Sequence, residues 1–101
     1  MEIKELVDKL IEKTSNDLYQ WEKQKNNLYR LVLSNGSISL EGIFNYGQEL
    51  YVISLYDKDS CFAKYSSLEE KEVAFKQLFI SIEACMKRKI EKKIDDVFGD
   101  V

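Results

Sequence analysis

The densest group of ionisable side chains is the run Lys87-Arg88-Lys89-Ile90-Glu91-Lys92-Lys93. On a helix Arg88, Lys89, Lys92 and Lys93 share one flank that can track phosphates, which makes them the candidate nucleic-acid contacts. Asp95 and Asp96 fall on the same flank one turn later and dilute it. The competing explanation is a solvated flank whose cations suit the negative end of a helix dipole. Asp57-Lys58-Asp59-Ser60 has the opening acids of a calcium loop, yet Phe62 stands where such a loop needs glycine and Leu68 where it needs a bidentate glutamate. Those acids are better explained as turn formers. Gly36, Gly42, Gly47 and Gly99 are isolated, and none opens an amphipathic helix as a phosphate-cradling loop would. The sequence therefore predicts no cofactor and no metal.

Histidine is absent. That removes the commonest general base, the Ser/His and Cys/His nucleophile pairs and the usual zinc ligand. Asp and Glu are plentiful, but no motif sets two of them together for acid–base work, so a non-catalytic protein is expected. Cys61 and Cys85 are too few and too far apart for a disulfide framework or a four-thiolate metal site. They are expected to be unpaired thiols in a reducing cytoplasm, filling core or near-core positions.

One small domain has to position these groups. The 101 residues carry 15 Lys and Arg against 18 Asp and Glu, for a net charge of -3, with 45% hydrophobic and 33% charged residues. Such proportions fit a single folded unit over residues 1–101 and exclude a disordered or collagenous chain. The acidic balance argues against a general nucleic-acid binder. Residues 1–14 are charged throughout, unlike an export signal, and no stretch approaches the roughly 18 apolar residues of a membrane span. The expectation is a cytoplasmic protein without a membrane partner.

Ile3, Leu6, Val7, Leu10 and Ile11 form one helical stripe, and Thr14-Ser15-Asn16-Asp17 ends that helix because short polar side chains compete for the backbone. From Leu18 to about Tyr65 the apolar period changes to two, which predicts a β-meander. Leu28 to Ser34 and Ser37 to Glu41 flank Asn35-Gly36, a pair suited to a type I′ turn, which sets Leu33 against Ile38, Leu31 against Leu40 and Arg30 against Glu41. A strand from Leu18 to Gln24 joins through residues 25–27: a three-residue loop pairs Trp21 with Leu31 and Tyr19 with Leu33 and puts both aromatics in the core, a four-residue loop turns them outward, and the first is preferred because it buries the indole. Residues 43–48 are expected to be irregular, with further strands over Leu50 to Tyr56 and Cys61 to Tyr65.

Ser67 and Glu70 fit a capping box, so a second helix is expected to open there and to run about 30 residues, roughly 45 Å, because no Gly or Pro interrupts it before Gly99. Leu68, Phe75, Leu78, Phe79, Ile82 and Met86 share its core stripe, which Lys89 and Lys93 then occupy. Ile90, Ile94 and Val97 start a second, rotated stripe, for which the first helix, a second copy and a protein partner are the candidate covers. The expected fold is α+β: an N-terminal helix, a four- or five-stranded antiparallel β-meander, and a long C-terminal helix packed on one sheet face and protruding beyond residue 86.

Leu28, Val32, Ile43 and alternate residues of Leu50 to Tyr56 point away from the face that this helix covers, so the second sheet face is partly apolar. With six Tyr, five Phe and one Trp available, either an interaction surface or a cover by the first helix accounts for it. The segments ELVDKLIEKT, the Trp-Glu strand and YRLVLSNGSISL together resemble small accessory proteins of phages and mobile elements in low-GC bacteria. That resemblance implies an inhibitor of a bacterial defence nuclease or toxin, anti-CRISPR-like or immunity-like, that works by binding its target. The expected function is therefore non-catalytic protein binding through Ile90, Ile94, Val97, Leu28, Val32 and Ile43, with homodimerisation as one form of it. The alternative is a nucleic-acid-associated regulator using the basic flank.

Overall fold

Hydrophobic periodicity places seven elements along the chain: α1 (Ile3–Ser15), β1 (Glu22–Lys25), β2 (Leu28–Val32), β3 (Gly36–Asn45), β4 (Gln48–Asp57), β5 (Ser60–Ser66) and α2 (Phe75–Phe98). A computed structural model describes all of residues 1–101. The five strands form one antiparallel sheet in the order β1-β2-β3-β4-β5, so every strand lies beside its neighbour in sequence. The α+β architecture read from the sequence is present, with five strands.

Both helices lie on the same side of the sheet. Val7 and Leu10 of α1 join Phe75, Leu78, Phe79 and Ile82 of α2 in one core with Tyr29, Leu31, Ile38, Leu40, Tyr51 and Ile53 from the strands. Trp21 belongs to this core too, and its Nε1 donates 3.0 Å to the buried Thr14 Oγ1, which satisfies the only polar atom of the indole. The rings of Tyr29, Phe44 and Tyr51 surround Phe79 at centroid distances of 5.4 to 5.8 Å, with edges tilted toward faces as aromatic quadrupoles favour. Gly42 makes room for this group: a Cβ there would lie 2.7 Å from the Phe44 ring and 3.1 Å from Phe79.

Four details depart from the sequence-based expectation. The first strand is confined to Glu22–Lys25 instead of running from Leu18 to Gln24, and Lys25, expected in the loop, pairs with Leu28. The β2–β3 register is Leu31 with Ile38, Tyr29 with Leu40 and Arg30 with Ser39, two residues from the alignment that Asn35-Gly36 suggested. Ser34-Asn35 makes the turn instead, closed by Leu33 N–H donating 2.8 Å to the Gly36 carbonyl. Gly36 is drawn into β3, where it pairs with Asp57 and where any Cβ would run into the Tyr56 carbonyl oxygen. Because the shift is two residues, each side chain keeps its face, and only Leu33 leaves the core face for the turn.

Residues 43–48, expected to be irregular, belong to a hairpin. Tyr46 (φ 51) and Gly47 (φ 77) form a two-residue turn with both central φ values positive, the primed geometry that matches strand twist, between the paired Asn45 and Gln48. A tyrosine in the first of those positions hides this turn from sequence. Finally, α2 begins at Phe75 rather than near Ser67. Ser67 caps nothing: its Oγ accepts the Tyr51 N–H at 2.9 Å, and its own N–H donates to the Tyr51 carbonyl, which extends the β4–β5 ladder by one residue. Leu68 is consequently exposed instead of lying on the core stripe.

Candidate functional site

Antiparallel pairing brings the outward-pointing residues of the sheet into rows. Arg30, Ser39, Ser54 and Lys64 are successive partners across β2, β3, β4 and β5. Leu28, Glu41 and Val52 form the next row, Val32, Ser37 and Tyr56 the row on the other side, and Ile43 pairs with Leu50 at the far end of the β3–β4 hairpin. The face is thus polar across its middle and apolar toward both ends. Ser54, Ser39, Leu28, Val52, Glu41, Arg30, Tyr56 and Lys64 line a shallow depression of about 440 Å³, completed by Gln24 and Asp59 at its rim.

No helix covers this face, since α1 and α2 both pack on the opposite one. Arg30 donates 3.2 Å to Ser37 Oγ, but Arg30, Glu41 and Lys64 take part in none of the ion pairs of the structure. Cations and acids here are balanced, and they stand among half-buried Leu28, Ile43, Leu50 and Val52. Such a mixture resembles an interface patch more than a phosphate track. Leu28, Val32 and Ile43, singled out from sequence, are all on this face, and Val32 is 59% exposed. The polar middle was missed, because the expected register set Arg30 against Glu41 and hid the alignment of Arg30 with Ser39, Ser54 and Lys64.

The distal half of α2 forms the second surface. Residues 87–101 are exposed throughout, and Ile90, Ile94 and Val97 retain 60%, 51% and 54% of their surface, so α1 does not cover them. The basic flank is divided. Arg88 binds Asp17 through Nη2 at 2.8 Å, and Lys89 Nζ donates 3.0 Å to the Tyr19 carbonyl. Together they tie α2 to the segment that links α1 to β1, while Lys92 and Lys93 stand free of ion pairs. The Arg88 side chain holds the Asp17 carboxyl below its ordinary range, and Asp17 in turn raises Arg88.

The other displaced protonation equilibria are on the covered side. Burial, aided by Glu83, pushes the Tyr29 phenol up, and its hydroxyl donates to Glu83 Oε2 at 3.3 Å. Burial and then Glu49 do the same to Tyr51. Burial and the neighbouring Asp17 raise the Cys85 thiol. Each of these shifts keeps its group in the form it already has at neutral pH, neutral phenol or neutral thiol, and so moves it away from nucleophilic or base chemistry. Cys85 is buried as expected, whereas Cys61 is exposed on the edge strand β5, and both are unpaired. No three His, Cys, Asp or Glu side chains gather as a metal site, and no helix is long and apolar enough to cross a membrane. No protein-family model, curated protein or solved structure matches the chain.

Proposed function

We propose that this chain is a non-catalytic binding protein that receives a protein partner on the open face of its sheet, acting in the cytoplasm as an inhibitor of a bacterial defence nuclease or toxin. The observation that carries the proposal is the uncovered face itself. Its apolar ends, Leu28, Val52, Ile43 and Leu50 on one side and Val32 with Tyr56 on the other, flank the Arg30-Ser39-Ser54-Lys64 row, an arrangement in which burial supplies affinity and the central polar groups supply register. The likeness to small phage and mobile-element proteins supports inhibition by occlusion as the mode of action.

The nucleic-acid alternative is left with less support, because Arg88 and Lys89 already bond within the chain. A pulldown from the native host is expected to recover one stoichiometric protein with the wild type and to lose it with Val32→Arg/Val52→Arg, while both proteins show the same far-ultraviolet circular dichroism. Recovery of that partner by the double variant, or salt-sensitive retention on DNA or RNA in its place, would overturn the proposal.

A further inference from the structure

Beyond Met86, α2 leaves the core and carries Ile90, Ile94 and Val97 at four- and three-residue steps, with Phe98 beside them. That spacing is the seam of a two-helix coil, and nothing within the chain packs on it. The charges beside the seam are not uniform along the helix. On one flank Lys89 and Lys93 come first, then Asp96, with Asp100 in the turn just past the helix end at Phe98, so the segment is cationic near the body and anionic at its tip.

We propose that this segment pairs antiparallel with the same segment of a second copy. A two-fold axis level with Asp95 and Asp96 sets Ile94 beside the partner's Val97 and lays the cationic half of each helix along the anionic half of the other. Lys93, free of intrachain ion pairs, then faces the partner's Asp96 and the partner's Asp100, and each contact occurs twice because the interface is isologous. A parallel pairing uses none of these charges: it sets Lys93 against the partner's Phe98. The overlap runs over residues 90–101, helical as far as Phe98, and leaves the two bodies at opposite ends of the paired helices. The open sheet faces described above remain free, so the dimer presents two of them. This pairing does not depend on the sheet face having a partner.

So short a seam makes a weak dimer, and sedimentation equilibrium should find dimer at hundreds of micromolar and monomer on dilution to about 1 µM. Ile90→Asp/Ile94→Asp should be monomeric throughout, with the melting temperature of the wild type at low concentration. The charge pattern gives a sharper test. Lys93→Glu alone sets acid against acid, and Asp96→Lys/Asp100→Lys alone sets cation against cation, so each variant should be monomeric at concentrations where the wild type dimerises. An equimolar mixture of the two variants should form a heterodimer, because every flank contact between them is again of opposite sign. A wild type monomeric at every concentration, a dimer that survives Ile90→Asp/Ile94→Asp, or two monomeric charge variants that fail to combine would each overturn the antiparallel pairing.

Discussion

The two faces of the sheet share the same backbone and differ in what they meet. Along β4, Tyr51, Ile53 and Leu55 point toward the helices, whereas Leu50, Val52, Ser54 and Tyr56 point away. Alternation alone would make the second set polar if it faced only water. Instead it retains Leu50, Val52 and Tyr56, and its neighbours add Leu28, Val32 and Ile43. The covered face shows what apolar residues do when a helix arrives. The open face shows the same residue types without one, graded around a polar middle. A strand pattern therefore says which side chains share a face, but not whether that face is finished.

The contrast is most directly broken at the centre of the covered side. Phe79→Ala removes the ring that Tyr29, Phe44 and Tyr51 enclose, and should destabilise by about 3–5 kcal/mol in chemical denaturation. Near-wild-type stability would mean that the covered face is not the core. Adjacent residues on β4 then sharpen the comparison: Ile53→Ala, fully buried, should cost about 2–5 kcal/mol, while Val52→Ala on the open face should cost less than about 1.5 kcal/mol. Equal losses would indicate that something covers Val52.

A polar test on the covered side is Thr14→Val, which keeps the shape and leaves Trp21 Nε1 buried with no acceptor. The expected loss is about 1–3 kcal/mol, read from the shift in denaturation midpoint at constant slope.

The smallest effect belongs to the exposed tie between Asp17 and Arg88. The carboxyl of Asp17 is lowered in the folded protein, so its contribution is present above the unfolded carboxylate pKa and is lost as pH falls through the folded one. Asp17→Asn should lower the melting temperature slightly at neutral pH and high-salt buffer should shrink the difference, which should vanish in acid. A difference that grows toward low pH would contradict this pairing.

Periodicity was sufficient to read α1, the core stripe of α2 and the membership of each sheet face, because those features depend on spacing that survives small shifts of register. Trp21 was legible for a related reason: one strand parity buries an indole and the other buries Gln20 and Glu22. Turns were not. Asn35-Gly36 is a strong local signal that yields to the pairing of Gly36 with Asp57, and Tyr46-Gly47 is a weak one that the long β3–β4 ladder imposes. Ser67 has the chemistry of a helix cap and is used to extend a strand. The candidate surfaces divide in the same way. Leu28, Val32, Ile43, Ile90, Ile94 and Val97 were found from pattern, whereas the Arg30 to Lys64 row needs the register, and the engagement of Arg88 and Lys89 needs the path of a loop far away in sequence.

The order of the strands in the sheet is also their order in the chain, and this bears on how the molecule acquires its shape. Each strand closes on one just made, so four short loop closures assemble the sheet, and refolding on the order of milliseconds is expected for a topology of such local pairings. With no proline in the chain there is no prolyl isomerisation to add a phase of tens of seconds. The exception to locality is α1, which comes first in the chain yet packs mainly on α2, the last element. During synthesis it must wait, unpaired, until α2 has left the ribosome.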